Sequence, residues 1–351
     1  MASTISKILD FVLRTLPIKN SFEKIFNSRK FGKGDIKEPP KFLYTTLDIK
    51  KIETKLGNNF ILKTKAILNS NGEVKNNSTT VTCENIDAAI NKNIDTEINE
   101  NIAAEKNGII DAEKNEKYVF YLHGGGYIHG FNSIHWLFLK TLAQELDCTI
   151  IAPDYPVAPE FTYHESFAMV IPLYKDLITK VGKDNVILMG DSSGGGFALA
   201  LAQKMHEANI EIASQIILIS PWLDITLKNK DIKAIDPQDP ILGVKGLRRA
   251  GKSYAGKTNP NNYLLSPING SVEGLGKISI LIGTKDILVA DTRKFKSIAQ
   301  AKGVEINYYE YEDMLHVWPL FNLPESKIAI EQIKQIINTQ STKNCQLDFV
   351  L

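Results

Sequence analysis

Two glycine-rich stretches and a handful of histidines and aspartates carry residue types suited to acyl transfer. The stretch GDSSG, residues 190–194, follows the apolar run VILM and opens the segment GGFALALAQKM. A serine at a sharp strand-to-helix turn presents its hydroxyl outward, and flanking glycines give that turn its room. Ser192 is therefore the candidate nucleophile, weighed against the plainer reading of a serine-rich helix N-cap. The stretch HGGGY, residues 123–127, follows the run YVFYL. Its glycines expose N–H groups that can face developing negative charge, so Gly124 and Gly125 are expected to donate to an oxyanion together with Ser193. A plain tight turn also explains three glycines. That reading loses force because each motif follows its own apolar run and the two occur in the required order.

A serine hydroxyl is a weak nucleophile until a base takes its proton. The chain has six histidines. His123 belongs to the glycine loop, His129 and His135 follow it closely, His164 precedes the serine in a proline-flanked loop, and His206 lies far along the helix that Ser192 opens. His316 remains, in MLHVW after the run NYYEY. The acid should fall between nucleophile and base in the chain. Asp286, after ISILIG, and Asp224, after IILISPWL, both qualify; Asp286 is preferred because it lies one strand nearer His316 and GTKD turns at once after its strand. Asp313, just ahead of His316, reads as a solvated loop carboxylate. A buried acid would hold the imidazole tautomer and stabilise the imidazolium.

These residues must be held by elements, and from residue 117 onward the elements alternate. Short β-branched and aromatic runs at 118–122, 148–152, 186–189, 215–219, 277–282 and 305–311 read as strands. Segments 135–146, 166–181, 193–208, 291–302 and 325–338 have helical length and spacing. The alternation and the near-continuous apolar strands predict an α/β fold, a mostly parallel sheet with helices on both faces. Ligands in such folds bind at the carboxyl ends of the strands, where each candidate residue falls. Opening strands are expected at 60–68 and 79–83.

With 351 residues, the chain exceeds the usual single-core range of about 250–300, which suggests one large domain with appendages. Residues 1–60 read as an N-terminal helical cap segment, interrupted by Pro17, Pro39 and Pro40 and lying on the sheet rather than in it. The catalytic domain is expected over 61–342, followed by a tail at 343–351. Residues 69–116, rich in Asn, Lys, Glu and Asp, have little to bury and read as a polar surface insertion, partly disordered. A second, cap-like insertion at 226–262 brings Ile241, Leu242, Leu247 and Tyr254 to cover a pocket mouth. DYPVAPE, 154–160, reads as a rigid buttress for the glycine loop. Trp222, in SPWLD, either lines the acyl or alcohol site or packs in the core.

Hydrophobic residues make up 43% of the chain and charged residues 23%, as in a globular protein. Lys plus Arg (41) nearly balance Asp plus Glu (40), a net charge of +1 that offers no drive for nucleic-acid binding. Cys83, Cys148 and Cys345 are scattered and lack metal or disulfide spacing, which fits a reducing, cytoplasmic setting. No apolar run reaches the roughly 18–20 residues that span a bilayer, and the start lacks the pattern of a secretory signal. Ile5, Ile8, Leu9, Val12, Leu13 and Leu16 nevertheless form a helical stripe. Such a stripe is more often simply a helix packed on its own domain, for instance as a cap, than one that lies weakly on a membrane surface or makes a homodimer.

Taken together, HGGGY at 123–127, DYPVAPE at 154–160, GDSSGG at 190–195, SPWLD at 220–224, GTKD at 283–286 and His316 resemble the hormone-sensitive-lipase-type branch of the α/β-hydrolases. The resemblance implies a Ser192–Asp286–His316 triad and an oxyanion hole from Gly124, Gly125 and Ser193. It also implies a cap from the N-terminal helices. Tyr127, Trp222 and Val317, which neighbour the motifs, are the candidates for the substrate pocket. It implies hydrolysis of small-molecule carboxylic esters of short to medium acyl chains through an acyl-enzyme, with no metal or organic cofactor. The sequence departs from the pattern where Pro156 and Val157 stand in place of the family's usual Arg and Leu. An amidase or N-deacetylase with the same triad is the nearest rival, and a ligand receptor that keeps the scaffold without catalysis is a more distant one.

Overall fold

The computed structural model describes residues 2–16, 18, 19, 21–28, 35–65, 81, 82, 110, 112 and 116–338. Along them run α1 (Thr4–Thr15), α2 (Ser21–Ser28), β1 (Leu47–Glu53), β2 (Asn58–Thr64), β3 (Val81–Thr82), β4 (Tyr118–Leu122), α3 (Ser133–Leu146), β5 (Thr149–Pro153) and α4 (Tyr163–Val181). The second half comprises β6 (Val186–Asp191), α5 (Ser193–Glu207), β7 (Gln215–Ile219), α6 (Ile232–Ile235), α7 (Val244–Ala255), β8 (Lys277–Gly283), α8 (Val289–Ala301), β9 (Asn307–Tyr311) and α9 (Pro324–Asn338). The strands form one sheet in the order β3-β1-β2-β5-β4-β6-β7-β8-β9. From β5 across to β9 every pairing is parallel. Only the β1–β2 and β2–β5 pairings are antiparallel.

The run YVFYL shows why the strands read as unbroken apolar stretches. Tyr118, Phe120 and Leu122 point into one hydrophobic cluster with α4, α5 and α8, while Val119 and Tyr121 point into another with α3 and α9. A strand covered on both faces has no polar side to alternate with. The expected strands and helices from residue 117 onward are all present, with ends shifted by a few residues. The C-terminal edge of this sheet carries the chemistry-bearing residues: Ser192 follows β6, His123 follows β4, Asp286 follows β8 and His316 follows β9.

The N-terminal segment departs from the sequence reading. α1 and α2 are helices as expected, but β1 and the start of β2 are built into the sheet. The apolar residues of β1 serve both faces, Leu47 and Ile49 toward the α3 side and Ile52 toward the α4 side. Divided in that way they show no period-two alternation, and the hairpin closes through the Thr54–Gly57 turn. The expected strand at 79–83 is described only at Val81–Thr82, which pairs parallel with β1. Most of the 69–116 insertion and the 343–351 tail lie outside the described residues. In the 226–262 insertion Leu242, Leu247 and Tyr254 are core residues at 2%, 2% and 0% exposure. They pack the insertion onto the domain core.

The junction of α3 with the N-terminal segment is aromatic. Trp136 is fully buried, its indole N–H donates to the carbonyl of Ile36 at 3.2 Å, and its ring contacts Phe60 and Phe131 at 5.1 and 4.7 Å. Truncating a buried aromatic loses its transfer energy and leaves a cavity. Trp136→Ala is expected to lower the unfolding free energy by about 3–5 kcal/mol, measured by urea denaturation.

Candidate active site

Ser192 sits at φ 52° and ψ −121°, a region costly by about 1–3 kcal/mol for a residue with a side chain. Surrounding hydrogen bonds impose it: the Ser192 N–H donates to Ile219 O at 2.8 Å, and its carbonyl accepts from Trp222 N–H at 2.8 Å and Gly196 N–H at 3.1 Å. The turn is tight enough that a Cβ on Gly194 would stand 2.1 Å from Leu122 O and 2.4 Å from His123 O. Glycine is needed there for the helix to start against β4.

Three side chains from three loops converge at this point. His316 Nε2 is 2.9 Å from Ser192 Oγ, and His316 Nδ1 is 2.7 Å from Asp286 Oδ2. A carboxylate only accepts, so Nδ1 carries the proton and Nε2 keeps the lone pair that faces the hydroxyl. All three residues are buried, Ser192 at 8%, His316 at 4% and Asp286 at 0% exposure. Burial opposes charge on His316, yet the Asp286 carboxylate and its hydrogen bond, with Asp239 and Asp191 behind, hold the imidazole pKa above its ordinary 6.5. Asp224 is engaged elsewhere, accepting from Thr226 N–H and Oγ1–H. Asp313 stands 3.5 Å from Lys285 at the surface. Of the six histidines, His316 is the one brought to Ser192.

Asp239, from the insertion, was not singled out by its type or spacing. Its Oδ1 accepts from the N–H of Ile241 and Leu242, and its Oδ2 accepts from the N–H of Ile287, next to Asp286. Burial first, and then the charge of Asp286, push its pKa up to about 6. The contact is long-range in sequence, and no local pattern announces it.

The glycine loop is held by carboxylates. Asp191, 2% exposed, accepts from Tyr121 O–H at 2.5 Å and from Gly124 N–H at 2.8 Å, with His135 Nε2 at 3.4 Å. These partners outweigh burial and keep the Asp191 pKa below the usual value. At the other end Asp35 accepts from Gly130 N–H at 3.0 Å and lies 2.9 Å from His129 Nδ1. Between them, Gly125 adopts φ +122°, a conformation open to glycine. The Gly124 donor expected from sequence is thus corrected: its N–H is consumed by Asp191, so the loop's remaining N–H groups are those of Gly125 and Gly126. The Tyr127 N–H donates to Ser193 Oγ at 3.3 Å, tying the loop to the start of α5.

Tyr155 of DYPVAPE buttresses this loop, donating to His123 O at 2.6 Å and stacking on the His123 ring at 4.2 Å. Burial, with His135 nearby, lowers the His123 pKa to about 4, so it stays neutral. Tyr127 and Trp222 are each 1% exposed, and Tyr127 stacks on Tyr254 at 3.9 Å and on Trp222 at 5.6 Å. Rings of that size gain most by burial against one another. Val317 is half-buried, and its N–H donates to Ser220 Oγ at 3.1 Å.

The strand order, the turn after β6 and the residues gathered at the sheet's C-terminal edge define the α/β-hydrolase class. The family model described as alpha/beta hydrolase fold matches residues 119–320, more than half the chain. The chain belongs to that family, in its hormone-sensitive-lipase-type branch, and is a carboxylic ester hydrolase. It is 29% identical over 221 residues to an esterase of Acinetobacter venetianus, covering 62% of this chain and 73% of that protein. It is 28% identical over 222 residues to an acetyl-hydrolase of Streptomyces hygroscopicus, covering 62% and 74%. A solved esterase from the bacterial hormone-sensitive lipase family superposes with TM-score 0.70 at 20% identity, covering 97% of this chain and 100% of that one.

The two carboxylates facing His316 make a direct prediction. By NMR titration of the His316 ring, the midpoint is expected above pH 6.5. In Asp239→Asn it is expected to move lower, because removing a nearby negative charge weakens the hold on the imidazolium.

Proposed function

We propose that Ser192, His316 and Asp286 act as a catalytic triad and that the enzyme cleaves esters of short to medium acyl chains through an acyl-enzyme. The observation that carries the reading is the continuous Asp286–His316–Ser192 hydrogen-bond chain, at 2.7 and 2.9 Å. His316 Nε2 takes the hydroxyl proton as Ser192 Oγ attacks the ester carbonyl. The oxyanion that forms is held by the N–H groups of Gly125, Gly126 and Ser193. The first turn of a helix has no internal acceptor for its N–H, which leaves that of Ser193 available. His316 then protonates the leaving alcohol, and water repeats the cycle on the acyl-enzyme.

The acyl range is supported by the family resemblance and by the relative named an acetyl-hydrolase. The scattered cysteines support a reducing, cytoplasmic setting, with Cys148 free and buried.

Ser192→Ala is expected to lower kcat on a p-nitrophenyl ester by about 10⁴–10⁶-fold with the fold intact by circular dichroism. Near-wild-type turnover in that variant would reject Ser192 as nucleophile. In a series from acetate to palmitate, kcat/KM should be greatest between acetate and octanoate; a maximum at palmitate would reject the acyl range. The acid limb of kcat/KM should have its midpoint above pH 6.5, since the neutral imidazole is the base and the carboxylates favour its protonated form.

A further inference from the structure

Helix α1 turns most of its large apolar residues away from the protein. The side toward the protein carries Leu9, packed against the core, and partly buried Leu13, but is otherwise polar. Ser3 donates to Glu325 through its N–H at 2.5 Å and its hydroxyl at 3.1 Å, and Ser6 Oγ donates to Glu325 at 2.6 Å. Asp10 pairs with Lys285 at 3.1 Å and with Arg14 at 2.9 Å, and Arg14 also donates to the carbonyls of Pro237 and Gln238. The side toward solvent is apolar: Ile5 is 55% exposed, Ile8 58%, Phe11 69%, Val12 42% and Leu16 48%. At about 100° per residue, these five share one arc of the helix with only Thr4 and Thr15 and no charge. They are half of the exposed large hydrophobics among the described residues. Ile328, one turn beyond Glu325 on α9, is 60% exposed.

Hydrophobic surface of this size needs a reason. We propose that α1 lays its apolar face on a phospholipid bilayer surface, docking the enzyme with the Asp286 side of its site toward the lipid. A second copy of the chain is the weaker occupant. A stable dimer interface buries about 800 Å² on each partner, whereas a helix of 12 residues offers an apolar strip of only a few hundred Å². A lipid surface accepts an isolated strip without a matching shape, the helix lying in the interface with its apolar side about 5–10 Å deep. The charges flanking the strip are Lys7, Asp10 and Arg14, of which Asp10 and Arg14 pair with each other, and the chain's net charge is +1, so anionic headgroups would add one cation's attraction to a binding carried by the apolar strip. No helix among the described residues is long and apolar enough to cross a membrane, which leaves lying on it. The orientation follows from the anchors: Lys285 precedes Asp286, and Pro237 and Gln238 precede Asp239.

The test uses the full chain with phosphatidylcholine vesicles, comparing wild type, an Ile8→Ser/Phe11→Ser/Val12→Ser triple variant and a conservative Phe11→Trp variant. Wild type is expected to co-sediment with vesicles, with partitioning reduced at least about tenfold in the triple variant. Hydrolysis of a water-soluble ester by the triple variant, unchanged, serves as the control for folding. The emission of Phe11→Trp should be quenched when the vesicle chains are brominated, a readout that holds even if the triple variant fails to fold. Wild type left in the supernatant, or Phe11→Trp emission indifferent to brominated lipid, overturns the proposal. So does a wild type that is dimeric by sedimentation velocity, fails to bind vesicles and becomes monomeric in the triple variant, which would assign the strip to a second copy.

Discussion

One hydrogen bond, from the N–H of Gly124 to the buried carboxylate of Asp191 at 2.8 Å, joins the loop after β4 to the turn after β6. Those loops carry the two halves of the proposed chemistry, the donors and the nucleophile. The carboxylate is stripped of water, so its bonds to Tyr121 and Gly124 act at low dielectric and fix geometry strongly. Glycine at 124 therefore serves to bring a backbone N–H up to an acid, and the N–H groups left in the loop for the proposed oxyanion hole lie one position further on.

The same logic of buried carboxylates runs through the rest of the site. Asp286 orients His316, Asp239 stands behind both and grips the backbone beside Asp286, and Asp35 ties down the far end of the glycine loop. Each acid is satisfied by backbone N–H groups, histidine or hydroxyl, which is the condition for burying one without a large penalty. Because Asp239 comes from the insertion, the position of that insertion and the charge around His316 are mechanically linked. The polar contacts of α1 with Glu325 and Lys285 extend this arrangement to the N-terminal segment.

Ser192, Asp286 and His316 were legible in the sequence because each lies just after an apolar run, in the chain order of nucleophile, acid and base. The sheet from β4 to β9 was legible for a related reason, since strands buried on both faces write themselves as continuous apolar stretches. β1 was not, because its few apolar residues are shared between two faces and its pairing is supplied by β2 and β3. For Trp222 the sequence left a pocket wall and core packing equally open, and for Tyr127 it pointed to the pocket; in the fold Tyr127 is stacked between Tyr254 and Trp222 and both are buried, an outcome set by partners distant in the chain.

What the sequence by itself determined was local: which residues could be nucleophile, base and acid, which runs were strands, and that glycine was needed at the turns. These follow from steric and hydrophobic rules acting over a few residues. The tertiary structure alone decided which donors remain free, which acids surround His316, and which face of α1 is left to solvent. Those outcomes depend on partners distant in the chain, such as Asp191 for Gly124 and Glu325 for Ser6. A hydrogen bond or a buried face is defined by where two segments meet, and no spacing within either segment records that meeting.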